Sequence, residues 1–149
     1  SKKPFVRGAL MAALVTPGAI SCLRHHPHEI ASYNELIGGV RGAASAGFER
    51  QFWGGGSRPL FQQLNAEAKP GDRLFLDRTN RDAFTTYQAT GVLRRDLRFS
   101  ARPSGADWAM SFHQPDSDWV LVDLRRRMDL VAGVAIEGVP VVSLFKRRP

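Results

Sequence analysis

Cysteine is nearly missing from this chain, with Cys22 its single representative. One thiol rules out an internal disulfide and any zinc site built on paired thiols, and it leaves the redox compartment open. Acidic residues are also scarce, 14 against 21 lysines and arginines, for a formal net charge of +7. A surface so unbalanced suits anionic partners. Arginine outnumbers lysine by 17 to 4, and Arg is the better bidentate partner for phosphate and carboxylate.

Signatures of catalysis and cofactor binding are missing as well. Neither G-x-G-x-x-G with a following acid nor a phosphate-loop lysine occurs. Gly54-Gly55-Gly56 precedes Ser57, but no apolar strand leads into it, so it reads as a crowded turn rather than a phosphate cradle. No G-x-S-x-G elbow exists, and Cys22 sits in an apolar stretch where a thiol is usually inert. Cys22, His25, His26 and His28 look superficially metal-like, yet only His113 and scattered acids remain as a second ligand pair. Asp116 with Asp118, and Asp123 with Asp129, read as solvated caps. We expect no catalytic centre, no metal and no cofactor in this chain.

What is present suits one domain. The chain has 149 residues, 43% hydrophobic and 23% charged, enough for a proper core and too apolar for disorder. Residues 1–24 read as an apolar linker helix and residues 25–149 as a soluble α/β domain. The stretch Gly8 to Leu23 is uncharged and flanked by Arg7 and Arg24. It shows no signal-peptide cleavage site. At 16 residues, with Pro17 and Gly18 inside, it is shorter than the ~20 needed to span a bilayer. Two readings stay open: a buried or amphipathic helix broken at Thr16-Pro17-Gly18, or the exit end of a membrane segment.

Further along, Pro27 opens a short helix from His28 to Leu36, ended by Gly38-Gly39. Residues 40–57 read as an ordered loop with one helical turn. Ser57 and Pro59 start a helix from Arg58 to about Ala68. Lys69-Pro70-Gly71-Asp72 is a turn. Arg73 to Asp77 reads as a buried strand, Asn80 to Thr90 as a helix, and Leu93 to Phe99 as a strand carrying Arg94 and Arg98 on one face. Gly105 to Phe112 suits a short helix, with Trp108 and Phe112 four apart. Asp118 to Leu124 is the strongest strand signal. Val131 to Ile136 and Val139 to Phe145 bracket Glu137-Gly138, which has hairpin-turn chemistry. The expected fold is α/β, a Rossmann-like three-layer sandwich with a mostly parallel sheet, a C-terminal β-hairpin and an N-terminal apolar helix.

Two stretches carry more than composition. One runs from His26-Pro27-His28-Glu29 through Tyr33-Asn34-Glu35 to Gly38-Gly39. The other is Gly47-Phe48-Glu49-Arg50-Gln51-Phe52-Trp53-Gly54, followed by Leu64-Asn65. Together they resemble the "HPYELSYYNELVGG … FE-x-x-YWG … WLN" signature of bacterial membrane glycosyltransferases, which are similar to dolichyl-phosphate-mannose protein mannosyltransferases and to aminoarabinose transferases of lipid A. The resemblance spans essentially the whole chain. His28 and Phe52 stand where the signature has Tyr, keeping a ring and losing the hydroxyl.

The resemblance implies a multi-pass membrane body that transfers sugar from a polyprenyl-phosphate donor, with its catalytic acids in an early exoplasmic loop outside this chain. The present chain is then a non-catalytic soluble C-terminal domain on the periplasmic face of the bacterial inner membrane. Its implied partners are the membrane body and a carbohydrate or lipid-linked acceptor. The candidate binding residues are His26, Glu29, Tyr33, Asn34, Glu49, Trp53 and Gly54, read either as a sugar-binding surface or as a structural knot. A basic surface of Arg94, Arg95, Arg98, Arg125, Arg126 and Arg127, with Lys146 to Arg148 beyond, suits anionic lipid headgroups. The alternative is a free-standing nucleic-acid-binding module, the less favoured partner because the aromatics fall at core spacing.

Overall fold

The computed structural model describes residues 3–26, 33, 37–50 and 56–149. It begins with a long helix, α1 (Lys3–His25), which continues through Pro17 without the expected break. A proline forfeits one helical hydrogen bond and crowds the preceding turn, and the Ala- and Leu-rich flanks favour helix strongly enough to carry it. Of the readings left open for this stretch, burial in the domain is not met. Between Pro4 and Leu23 none of α1 is buried, and Phe5, Leu10, Leu14 and Leu23 are all exposed.

Helix α2 (Gly39–Ser45) starts where a helix was expected to end. Gly38 and Gly39 both have positive φ and lead the chain into α2; the helix expected from His28 to Leu36 lies outside the described residues apart from Tyr33, which is not helical. The entry is held by Glu137, whose carboxylate accepts from the Val40 amide at 3.2 Å. Helix α3 (Arg58–Glu67) matches its expected span and buries Leu60, Phe61 and Leu64, although Ser57 makes no side-chain cap bond.

Strand β1 (Arg73–Leu76) leads into α4 (Arg81–Ala89), capped by Asn80, whose side chain accepts from the Ala83 amide at 2.9 Å. Strand β2 is only Arg98–Ser100. The residues before it form a turn instead, because Arg94 donates to the carbonyls of Asn65 and Ala68 and pairs with Asp96. Arg94 and Arg98 therefore do not share a strand face.

Strand β3 (Trp108–Phe112) replaces the expected short helix, and α5 (Asp118–Arg127) replaces the strongest expected strand. Both errors have one cause. A spacing of four serves either period, so Trp108, Met110 and Phe112 share a strand face as readily as Trp108 and Phe112 share a helix face. In α5 the buried residues are Val120, Leu121 and Leu124, an i, i+1, i+4 helical pattern that its valines disguised. Asp118 in its first turn and Arg125 to Arg127 in its last complement the helix dipole. The C-terminal hairpin is as expected: β4 (Met128–Ile136) and β5 (Val139–Arg147) join through Glu137-Gly138, both at positive φ.

The sheet order is β2-β1-β3-β5-β4. β1 pairs in parallel with β2 and β3, whereas β3–β5 and β4–β5 are antiparallel. The sheet is mixed rather than mostly parallel, because the hairpin contributes two of its members. One face packs Leu74, Leu76, Trp108, Met110 and Leu144 against α2, α3 and α4 through Val40, Leu64 and Phe84. The other packs Phe75, Ala109 and Phe145 against Val120, Leu121 and Leu124 of α5.

Candidate functional site

The chain leaves β1 through α4 on one face of the sheet and leaves β3 through α5 on the opposite face. Adjacent parallel strands whose connections diverge in this way define a topological switch point, and the sheet edge at their carboxyl ends is where α/β proteins usually place ligands. Side-chain alternation decides what lines it. Phe75 faces α5, so Asp77 does too; Ala109 faces α5, so Ser111 and His113 follow. Ser143 is the register partner of Ser111 and joins them.

These four polar residues are buried and bonded to one another in pairs. Ser111 donates to the Asp77 carboxylate at 3.2 Å, and His113 Nε2 shares a 2.8 Å hydrogen bond with Ser143 Oγ. His113 is held in place by its amide, which donates to the Val141 carbonyl. Burial pushes its pKa down to about 4, with Arg50 and Arg125 adding to the effect and Asp118 opposing it. The imidazole is therefore neutral at pH 7, and offers one donor and one acceptor rather than a charge.

The rim is charged. Arg78, held at φ 56°, pairs with Asp116 across the two strand ends. Arg50 donates its amide to the buried Gln114 side chain at 3.1 Å. Among the described residues, Arg50 Nε is buried without a hydrogen-bond partner. A donor left so costs ~1–3 kcal/mol, a debt that a ligand or a neighbouring segment would relieve. Among the described residues no three His, Cys, Asp or Glu side chains converge on a metal position. The arrangement is a buried hydrogen-bonding floor, the neutral His113 imidazole near the Asp77 carboxylate, under an ionic rim, and it is suited to holding a polar group.

The structure brings part of the expected patch to this place. Tyr33 donates to the Glu49 carbonyl at 2.5 Å and its ring lies 6.1 Å from that of Phe48. Burial, then the Glu49 carboxylate, raises the Tyr33 pKa. The next residue, Arg50, reaches Gln114, so this part of the motif abuts the carboxyl end of β3. His26 is exposed at the end of α1. Glu29, Asn34, Trp53 and Gly54 lie outside the described residues, as do His28 and Phe52. Of the basic residues, Arg94 is tied to α3 and Asp96, Arg127 pairs with Asp123 at 2.7 Å, and Arg95, Arg98, Arg125 and Arg126 are exposed. Asp129 pairs with Arg148 at 2.8 Å, in keeping with solvated acids.

Asp77, Ser111, Gln114 and Ser143 were not anticipated, and His113 only as a remote metal ligand. The signal was a polar residue directly after each apolar run, Asp77 after Leu76 and His113-Gln114 after Phe112. Reading β3 as a helix hid it. No family model, curated protein or solved structure matches the chain.

Proposed function

We propose that this chain is the soluble, non-catalytic C-terminal domain of a membrane-embedded glycosyltransferase, on the exoplasmic face, with α1 as its last membrane segment. The parent uses a polyprenyl-phosphate-linked sugar, and the domain holds an acceptor or carbohydrate beside the membrane body. One observation carries the reading: Pro4–Leu23 is a helix long and apolar enough to cross a bilayer, and none of it is buried. Exposed to water, its large apolar side chains would each forgo ~1.5–3 kcal/mol of burial.

Pro17 fits the same reading. Breaking a helix within lipid strands several backbone groups at several kcal/mol each, against ~3 kcal/mol for carrying a proline through. Lys2, Lys3 and Arg7 lie at the N-terminal end of the span, whereas Arg24 alone follows in the next fifteen residues. The positive-inside rule then sets the α/β domain outside the cytoplasm. The glycosyltransferase assignment itself rests on the motif, whose Tyr33, Phe48 and Glu49 pack together beside the switch point.

Reading the coding sequence upstream of Ser1 tests the proposal. Repeated runs of ~20 apolar residues are expected. A start codon directly before Ser1 would overturn it.

A further inference from the structure

Helix α5 is apolar on two sides. Val120, Leu121 and Leu124 form the stripe that it buries against the sheet. At about 3.6 residues per turn, Trp119, Val122 and Arg126 fall within an arc of about 60° directly opposite that stripe. A surface helix normally keeps this outward ridge polar. Here Trp119 is 70% exposed and Val122 50%. Leu130, the register partner of Phe145, emerges on the same side of the sheet from the outer strand β4 and is 61% exposed. Outside α1, these three are the most exposed large apolar side chains among the described residues.

The charge on this side is positive. Arg125 and Arg126 lie in the last turn of α5, and both are exposed. Phe75 packs against α5, so strand alternation sets Arg73 on the α5 side too, and its register partner Arg98 with it. Both are exposed. Of the acids on α5, Asp123 pairs with Arg127, and Asp118 stands about 100° round the helix from Trp119. On β4, Asp129 pairs with Arg148.

An indole on an apolar ridge with arginines beside it is the composition of a surface that settles at the headgroup level of a bilayer. Each cation near anionic lipid adds to the attraction. We infer that the α5 face of the domain docks onto the anionic headgroup layer of the membrane that α1 crosses. This rests on the reading of α1 as a membrane segment, which brings the bilayer within reach. Residues 26–38 join α1 to α2 and extend to at most about 45 Å, so lipid is the partner at the highest effective concentration. A second copy of the chain, docked face to face, would instead set these arginines against one another.

Fluorescence quenching tests the docking, with the full chain added to vesicles that contain phosphatidylglycerol and lipid brominated near the headgroup. Trp119 emission should be quenched, and the quenched component should drop in Trp119→Phe, since Trp108 is buried in the core. In the Leu10→Asp, Leu14→Asp background, where α1 no longer holds the chain to lipid, weak binding to these vesicles should persist at low salt. Trp119→Ser should reduce that binding about tenfold and Arg126→Gln about fivefold. Val92→Ser, an exposed valine beside α3, should change nothing.

An alkaline carbonate wash reports α1 separately. A chain that resists the wash while Trp119 stays unquenched overturns the docking and leaves the membrane segment. A chain that is quenched and then washed off keeps the docking face and overturns the segment. Self-association lost in Trp119→Ser without quenching by lipid would assign the face to a second copy, and salt-sensitive RNA binding lost in that variant would assign it to nucleic acid. Either result overturns the docking.

Discussion

Helices α1 and α3 are both rich in apolar side chains, yet they stand in opposite relations to the domain. Helix α3 places Leu60, Phe61 and Leu64 on one face and buries all three. Helix α1 distributes Phe5, Leu10, Met11, Leu14, Val15 and Leu23 around its circumference and buries none of them. An amphipathic stripe is a contract with a protein core, whereas an apolar cylinder needs an apolar solvent on every side. The comparison separates the part of the sequence that builds the domain from the part that places it.

Aspartate at two central positions of α1, Leu10→Asp with Leu14→Asp, should break that contrast most severely. Each charge costs ~3 kcal/mol at the centre of a membrane helix, so partition into vesicles should fall about 10⁴-fold. The unfolding midpoint of the α/β domain should not move, as no α1 side chain in the span is buried. Leu64→Ala is the converse experiment. It should cost ~2–5 kcal/mol in urea denaturation and leave vesicle partition intact. A loss of stability from the α1 variant, or of partition from the α3 variant, would dissolve the distinction.

The comparison sharpens further on the α5 face of the sheet, where apolar packing gives way to the polar floor around His113. A buried imidazole with its pKa lowered from 6.5 to about 4 binds protons less readily folded than unfolded. Its contribution, roughly 3 kcal/mol, is fully present above pH 6.5 and is lost as pH falls towards 4. Stability measured by denaturant should therefore slope down between pH 6.5 and 4.5, and His113→Gln should flatten that slope. The smallest effect concerns a local signal. Asn80→Ala removes the bond to the Ala83 amide and should cost ~1 kcal/mol, read as a small shift in the urea midpoint.

Legibility in the sequence followed the chemistry of each segment. Turn residues were readable because their backbone demands are local: Glu137-Gly138 made its hairpin and Lys69 to Asp72 made its turn, whereas Ser57, expected to cap α3, makes no side-chain cap bond. Short apolar runs were not, since a five- to seven-residue stretch satisfies both periods. Trp108–Phe112 and Asp118–Leu124 were therefore exchanged, one becoming strand and the other helix. Their partners decided, Phe145 and Leu144 across the sheet for the first and Ala109 and Phe145 beneath it for the second. The candidate site was hidden for the same reason. Asp77 and His113 are 36 residues apart, and only the parallel pairing of β1 with β3 brings their strand ends together. The clustered arginines misled in a different way. Arg94, Arg127 and Arg148 read as free positive surface, but each is committed to a carboxylate.

Flotation of the purified chain with uncharged phosphatidylcholine vesicles, followed by an alkaline carbonate wash, tests the central claim most directly. Neutral lipid removes attraction by the net positive charge, and carbonate strips proteins held only at the surface. The chain should remain with the vesicles, and the Leu10→Asp, Leu14→Asp variant should be left behind. A wild-type chain that stays at the bottom of the gradient, monodisperse without lipid or detergent, would contradict the reading of α1 as a membrane segment.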